Sequence, residues 1–379
     1  MKKKSKALSI ISILLFLLAA FLVGFALGWL LDAFPQPELS ASAPLAAVIV
    51  VLVLIATFIL SVIIHEAGHL VCGLISGYGF SSFRIFSFML LKTDEGLRLR
   101  RLSVQGTLGQ CLMTPPPMKD GRMPVVLYNL GGSLMNFLFF AISLGLYFLL
   151  HNVWLLSTFL LFLAGVNLLT GLSNIIPTSS ANVDNDGMNA ISLTKDPVAM
   201  RSFWVQLSAT EQLSRGVRIK DMPDEWFVMP SVDEMSNSMA AALGVFCANR
   251  LVDQGAFPEA LDAIDALLSS GAAVTGLHKQ LLVLDKISVS LILDPTYRYD
   301  SLITPELNKF MTAMASFPTV LRAQYITKLL GEGDKAGADK LRARFDEQTK
   351  NYPYPQDVVS ERELLDAALD TYLGGRAED

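Results

Sequence analysis

The sequence predicts a multi-pass α-helical membrane protein with about four transmembrane helices, a small β-element and a C-terminal soluble all-α domain. Three observations lead to this fold class. The hydrophobic fraction is 52% and the mean hydropathy is +0.45, above the norm for soluble domains. Long stretches of the first half carry no charged residue, whereas charges are frequent after about residue 188. A chain of 379 residues has room for both a membrane part and a soluble part.

The first predicted span covers about residues 7–31. This uncharged run exceeds the roughly 20 residues that cross a hydrocarbon core, and a basic tail precedes it. A secretory signal has a similar basic start, and Ala41-Ser42-Ala43 resembles a cleavage site. The apolar run is longer than that of a typical signal, so we prefer a retained span. In either case the basic tail stays in the cytoplasm.

The second predicted span, about residues 46–75, contains the pattern His65-Glu66-Ala67-Gly68-His69. On a helix, His65 and His69 lie one turn apart on the same face and can bind one metal ion. Glu66 lies beside that face, where it can act as general base on a water molecule held by the metal. The loop before the span is acidic and has no Lys or Arg, which suits the outside, so His65 falls toward the cytoplasmic side.

The alternative for this pair is two core histidines packed between helices. We consider it weaker because ionisable groups in a bilayer are costly, about 2.5–3.5 kcal/mol for Asp, Lys or Arg at its centre. Two of the four histidines of the chain also stand here. Gly68, Cys72 and Ser76 are spaced four residues apart, and small residues at that spacing let another helix approach closely. Loose packing or chance explains this spacing equally well.

A β-element is predicted at about residues 80–115, within a loop whose positive excess places it inside. Residues 83–91 and 97–104 have the composition of strands, and Thr93-Asp94-Glu95-Gly96 forms the turn between them. An exposed sheet edge near the histidines could receive an extended substrate by strand addition. The equal alternative is an ordinary surface hairpin.

Two further spans are predicted at about residues 125–150 and 153–176, since no residue from Met123 to Val183 is charged. Polar residues of the last span share one face, which predicts contact with other helices or a wet cavity. The chain then returns to the cytoplasmic side at Asp184 and Asp186, at a depth comparable with His65. Both termini are therefore expected in the cytoplasm.

A linker or connecting helix is predicted for residues 191–237, and a cytoplasmic helical domain for residues 238–379. Seven helices follow from the periodicity, at about residues 239–254, 258–269, 275–293, 305–316, 318–330, 334–350 and 357–373. Leu251-Val252-Asp253-Gln254-Gly255 and Leu329-Leu330-Gly331-Glu332-Gly333 resemble the turns of tetratricopeptide repeats. Such arrays present a concave face, so we expect a cytoplasmic protein partner for this domain.

Three motifs resemble those of the site-2 protease family of intramembrane zinc metalloproteases. They are His65-Glu66-Ala67-Gly68-His69, Gly131-Gly132-Ser133-Leu134-Met135-Asn136, and Asn174-Ile175-Ile176-Pro177 with a downstream Asp186-Gly187. The resemblance covers about residues 45–190. Gly132 stands where the family usually has proline, and the gap from Pro177 to Asp186 is longer than usual.

The resemblance implies one zinc ion held by His65, His69 and an aspartate, with Glu66 activating water. Asp186 is preferred as the third ligand because it precedes a glycine, and Asp184 is its competitor. Asn136 and Asn174 are expected to position the substrate. For Asn136 the alternative is a buried amide that packs between helices.

The sequence thus favours a zinc-dependent intramembrane endopeptidase of the cell membrane, which cleaves a transmembrane or membrane-adjacent segment of a substrate protein. One alternative is a catalytically silent membrane scaffold that binds partners through the helical domain, although such a scaffold has no reason to keep Glu66. Another is a membrane-anchored metalloprotease acting on soluble peptides. That class usually takes a later glutamate as ligand, and the two later spans have none. The net charge of −5 argues against a nucleic-acid partner.

Overall fold

The computed structural model describes residues 17–18, 21–30, 43–104, 107–180 and 183–377. They form two compact units. The first unit contains the described residues up to Ile85, with Leu108–Pro117 and Met123–Asp196. The second contains those of Phe86–Thr107, Met118–Arg122 and the described residues from Pro197 onward. The boundary after Asp196 lies close to the predicted one at 190, but residues 86–107 belong with the second unit.

Three helices of the first unit are long and apolar enough to cross a membrane: α2 (Ala43–Ile75), α3 (Val126–Leu150) and α4 (Trp154–Ile175). Uncharged runs of this length form helices in a bilayer because a helix bonds its own backbone groups. A helix of membrane-spanning length is therefore present at each of these three predicted spans. Of the predicted span 7–31, the structure describes the short apolar helix α1 (Phe21–Leu30), and the rest lies outside the described residues, so a fourth span stays a prediction.

Two glycines face each other where α2 crosses α3. A Cβ atom on Gly131 would lie 2.5 Å from the carbonyl oxygen of Gly68 and 2.7 Å from Cβ of Cys72. A Cβ atom on Gly68 would in turn overlap the carbonyl oxygen of Gly131. Small residues permit such close crossings of membrane helices. The predicted role of Gly68 and Cys72 is confirmed, whereas the Ser76 hydroxyl donates to the Cys72 carbonyl of its own helix at 2.7 Å.

The β-element has four strands, where two were predicted: β1 (Gly79–Ile85), β2 (Phe88–Thr93), β3 (Gly96–Arg101) and β4 (Gly109–Thr114). The single strand predicted over 83–91 is wrong because the backbone turns at Phe86, which has φ of +52°. In the first unit, β1 and β4 pair antiparallel. In the second unit, β2 and β3 form a hairpin whose turn ends at Gly96, with φ of +107°.

The segment predicted as a linker or connecting helix, residues 191–237, contains regular structure. It contains α6 (Pro197–Ser214) and three short 3₁₀ turns between Ile219 and Ser236. The guanidinium of Arg250, in the following helix, donates to carbonyl oxygens in this segment at 3.2–3.3 Å. The segment therefore packs as part of the second unit.

All seven predicted C-terminal helices are present, each within a few residues of its predicted bounds. Four of them begin at Asn, Thr or Asp side chains that accept a hydrogen bond from the first turn. The prediction of an all-α domain over residues 238–379 is confirmed for the described residues, and the resemblance to tetratricopeptide repeats stays a prediction. The helices are α7 (Ser238–Asp253), α8 (Phe257–Ser269), α9 (Gly276–Leu293), α10 (Pro305–Ala313), α11 (Pro318–Ile326), α12 (Lys335–Thr349) and α13 (Pro355–Ala377).

Candidate metal centre

Two histidines of α2 bring their Nε2 atoms together. His65 and His69 are one helical turn apart, and their Nε2 atoms are separated by 3.2 Å. Both side chains are buried. The predicted placement of the pair on one helix face is therefore observed, and the two nitrogens are close enough to bind the same ion.

Asp186 joins this pair. It is the first residue of α5 (Asp186–Lys195), and its Oδ2 atom lies 3.1 Å from Nε2 of His65 and 3.4 Å from Nε2 of His69. Its competitor Asp184 lies in the short strand β6 (Val183–Asp184), which pairs with β5 (Ser179–Ser180). Among the described residues, the carboxylate that groups with the two histidines is that of Asp186.

Asn185 fixes the position of Asp186. Its Oδ1 atom accepts a hydrogen bond from the backbone N–H of Met188, which caps α5, and its Nδ2 atom donates to the carbonyl of Ile176 at the end of α4 at 2.6 Å. Gly187 lies against the last turn of α4, where a Cβ atom would overlap a backbone carbonyl. The glycine after Asp186 is therefore required for the close approach of α5 to α4.

Hydrogen bonds on the far side of each ring fix the histidine tautomers. Nδ1 of His65 lies 2.7 Å from Oδ1 of Asn136, and Nδ1 of His69 lies 2.9 Å from the carbonyl oxygen of Tyr128. Both partners are acceptors, so each Nδ1 carries a proton and each Nε2 presents a lone pair. Oδ2 of Asp186 is buried and accepts no hydrogen bond from the described residues. Three lone pairs thus face one point, which a cation, either a proton or a metal ion, stabilises.

The spacing of these three atoms fits zinc. Ligand atoms about 2.0–2.1 Å from a tetrahedral zinc ion are roughly 3.3–3.4 Å from one another. The observed separations are 3.1, 3.2 and 3.4 Å. Two imidazoles and one carboxylate are a donor set that catalytic zinc takes.

Behind His65, buried hydrogen bonds connect three helices. Asn167 Nδ2, in α4, donates to the Leu163 carbonyl of its own helix at 2.8 Å, so its oxygen is free to face α3. Asn136 Nδ2 donates to that oxygen at 2.7 Å and to the Ser61 carbonyl of α2 at 3.3 Å. With its nitrogen committed in this way, Asn136 presents its oxygen to His65. Asn136 and Asn167 are fully buried, and the predicted contact of the polar face of α4 with other helices is observed.

This placement changes the interpretation of Asn136. The resemblance implied contact with substrate, but the side chain is fully buried, and both ends of its amide are bonded between helices. Asn136 therefore matches the alternative given above, a buried amide that packs between helices. It also positions the ring of His65. Asn174 is half-buried, and its Nδ2 atom donates to the Thr170 carbonyl of α4 at 3.0 Å. Contact of Asn174 with substrate stays a prediction.

Gly132 forms the surface on which the His65 ring rests. A Cβ atom at this position would lie 2.5 Å from Cε1, 2.6 Å from Nε2 and 2.7 Å from Nδ1 of His65. No residue with a side chain fits there without moving the ring. Glycine at position 132 therefore has a steric reason in this chain.

Glu66, next to His65 in the sequence, contacts the first residue of β4. Its side chain is buried, and a Cβ atom on Gly109, the first residue of β4, would lie 2.5 Å from its Oε1 atom. Arg84 of β1 is 1% exposed and close enough for its charge to act on Glu66. One edge of β4 pairs with β1, and no described strand pairs with the other edge. A buried carboxylate and a strand edge with which no described strand pairs thus meet beside the two histidines.

Four residues of the site have roles that sequence reasoning did not assign: Gly109, Gly132, Asn167 and Asn185. A usable signal existed for Asn185, since an asparagine directly before a helix is a typical N-cap. Asn167 belongs to the polar face of the last span, but its partner was not predictable. The roles of Gly109 and Gly132 come from tertiary contacts, which the local sequence does not indicate.

Comparisons of the chain with protein-family models, curated proteins and solved structures find no match. Its own geometry defines the class of site: a buried group of two histidines and one aspartate, with an adjacent glutamate, among helices of membrane-spanning length.

Proposed function

We propose that this protein is a zinc-dependent intramembrane endopeptidase, with one zinc ion per chain. Its substrate is a transmembrane or membrane-adjacent segment of another protein. The observation that carries the proposal is the convergence of His65, His69 and Asp186 beside Glu66, among helices of membrane-spanning length. The three motifs that resemble the site-2 protease family support it.

The residues of the site divide the chemistry among them. Zinc, when bound, supplies the Lewis acidity that makes water a nucleophile near neutral pH and polarises the scissile carbonyl. His65, His69 and Asp186 would hold the ion. Glu66 accepts a proton from the attacking water as the new carbon–oxygen bond forms. It then delivers that proton to the amine nitrogen as the carbon–nitrogen bond breaks.

The substrate has to be extended before it is cleaved, since the carbonyl groups of a helix are engaged in its own hydrogen bonds. The edge of β4 with which no described strand pairs offers backbone groups to such a segment by strand addition. Because β4 begins at Gly109, in contact with Glu66, a strand added there lies next to the general base.

The proposed location is the cell membrane, with the site toward the cytoplasmic side and both termini in the cytoplasm. The positive excess in the segment between the second and third predicted spans supports this orientation. The lipid bilayer and a membrane-embedded peptide segment are then the immediate partners of the first unit.

Glu66→Gln tests the proposal. The amide has a similar shape but does not accept the proton, so the variant keeps its zinc and loses cleavage. Membranes of cells that express wild type, Glu66→Gln or the exposed control Glu259→Gln are compared by mass spectrometry of new protein N-termini. We expect fragments that begin within or beside membrane segments in wild type and in Glu259→Gln. The same fragments in Glu66→Gln would exclude this mechanism and favour the silent scaffold.

A further inference from the structure

The second unit contains a cavity of about 240 Å³ between α7, α9, α11 and α13. Four carboxylates and two guanidinium groups line it, so its charged side chains leave two negative charges in excess. They are Asp253, Asp285, Asp357, Glu361, Arg218 and Arg322. The cavity is independent of the candidate metal centre, because its lining residues all lie in the second unit.

Both guanidinium groups already have carboxylate partners. Arg322, which is 1% exposed, donates from Nε to Glu361 at 2.6 Å and from Nη2 to Asp285. Arg218 donates to Asp253 at 2.5 Å and also to Glu363, outside the cavity. The two arginines that line the cavity therefore already pair with three of its four carboxylates.

Asp357 is the carboxylate that remains. None of the described lysine, arginine or histidine side chains forms an ion pair with it, and its charged neighbours Glu361 and Asp253 are both acidic. Burial, together with these two neighbours, raises the pKa of Asp357 to about 7. A carboxyl group in such a place is a ready partner for a cation brought by a ligand.

A second buried group has an unused donor. Nη1 of Arg322 has no hydrogen-bond acceptor among the described residues, although the side chain is almost completely buried. A buried donor without an acceptor is destabilising, so a ligand oxygen at this position is favourable. The ligand that satisfies both groups has a positive charge for Asp357 and an uncharged oxygen acceptor for Arg322.

The walls and the size narrow the choice further. Phe246, Phe317 and Tyr352 line the cavity, and aromatic rings suit both the methylene stem and the charge of a basic side chain. The volume is below the roughly 300–1,000 Å³ of pockets for drug-sized ligands. It therefore suits one long side chain and its adjoining backbone.

We propose that this cavity binds a peptide segment through one lysine or arginine side chain. The ammonium or guanidinium group pairs with Asp357, and a backbone carbonyl of the peptide accepts a hydrogen bond from Nη1 of Arg322. A free polyamine has the charge but no oxygen acceptor. An anionic ligand would face the excess of carboxylates.

Calorimetric titration of the full chain in detergent at pH 8 tests the proposal. The probes are a blocked pentapeptide with arginine at its centre between serine and glycine, the same peptide with neutral citrulline, and spermidine. We expect the arginine peptide to bind at least about tenfold more tightly than the citrulline peptide, because the latter leaves the half-buried carboxylate of Asp357 unpaired. Asp357→Asn should weaken binding of the arginine peptide by a similar factor. The control Asp370→Asn, on the exposed face of α13, should bind as wild type.

Asp357→Asn removes a half-buried charge that has no cationic partner, so it should melt at or above the wild-type temperature, and lost binding then does not reflect unfolding. Equal binding of the citrulline peptide, or wild-type affinity in Asp357→Asn, would overturn the proposal. Spermidine binding as tightly as the arginine peptide would overturn its peptide part and assign the cavity to free amines.

Discussion

Nδ1 of His65 lies 2.7 Å from Oδ1 of Asn136, although the two residues belong to different helices, α2 and α3. This hydrogen bond decides which nitrogen of His65 carries the proton, and so which one faces Asp186. The amide itself is oriented by Asn167 of α4. The nitrogen that faces Asp186 is thus set by a chain of contacts through three helices, and its position depends on their packing.

We predict that Asn136→Leu weakens zinc binding by roughly 10–100-fold, the usual effect of removing the hydrogen-bond partner of a ligating histidine. The leucine fills similar space but accepts no hydrogen bond from His65. Competition with a zinc-binding dye measures the affinity.

A control on the same helix is Asn129→Leu. The Asn129 side chain is also buried, but its Nδ2 atom donates at 2.8 Å to the Val125 carbonyl, at the start of the same helix. Its substitution should leave zinc affinity near wild type. If Asn136→Leu and Asn129→Leu bound zinc equally well, Asn136 would have no role in positioning His65.

Gly132→Ala should also reduce zinc affinity, by at least about tenfold, since the support of a ligand is lost. The added methyl group would come within 2.5–2.7 Å of three atoms of the His65 ring, so the ring has to shift. Gly145→Ala is the matched control on α3, because a Cβ atom there meets nothing within 4 Å. If Gly132→Ala bound zinc as tightly as Gly145→Ala, the described contact between Gly132 and the His65 ring would be wrong.

The parts of the fold that depend on a local property of the sequence were predicted correctly. Uncharged apolar runs predicted α2, α3 and α4, and the 3.6-residue period with its capping residues predicted the seven C-terminal helices. The break at Phe86 was not predictable, because a non-glycine residue with positive φ has no compositional signal. The strand β4 was likewise missed as a strand, since it is defined by its pairing with β1.

The site was predictable to the same extent. One helical turn placed His65 and His69 together, and hydropathy with loop charge brought an aspartate near them. The choice of Asp186 over Asp184 is made by Asn185 and Gly187, which set where α5 begins and how near α4 it lies. The hydrogen bond from His65 to Asn136 depends on which faces of α2, α3 and α4 meet, and the sequence of each helix does not specify that.

Asp357 should make the second unit less stable as pH rises. Its folded-state pKa of about 7 lies above the ordinary 3.8, so the folded chain holds this proton more tightly than the unfolded chain. The contribution is fully present below about pH 4 and is lost progressively as pH rises to about 7. Asp357→Asn lacks this loss, because an amide does not ionise.

Thermal unfolding of the full chain therefore separates the two proteins by pH. Asp357→Asn should melt above wild type at pH 8, and the difference should shrink toward zero at pH 4. Asp370→Asn, exposed on the same helix, should follow wild type at both values. A variant that is less stable than wild type at pH 8 would mean that Asp357 has a stabilising partner.

Substitution of Asp186 and of Asp184 should have different effects on zinc binding. Asp186→Ala should abolish zinc binding under conditions in which wild type binds zinc, and with it any cleavage, because two histidines alone leave the site incomplete. Asp184→Ala should keep the zinc, since Asp184 lies in β6 and outside the group of ligands.

The most direct test of the central claim is the zinc content per chain of purified protein, measured by elemental mass spectrometry. We predict one zinc ion per chain in wild type, in Glu66→Gln and in Asp184→Ala, and none in His65→Ala or Asp186→Ala. Full zinc content in His65→Ala or Asp186→Ala, or loss of zinc in Asp184→Ala alone, would contradict the assignment of His65, His69 and Asp186 as the metal centre.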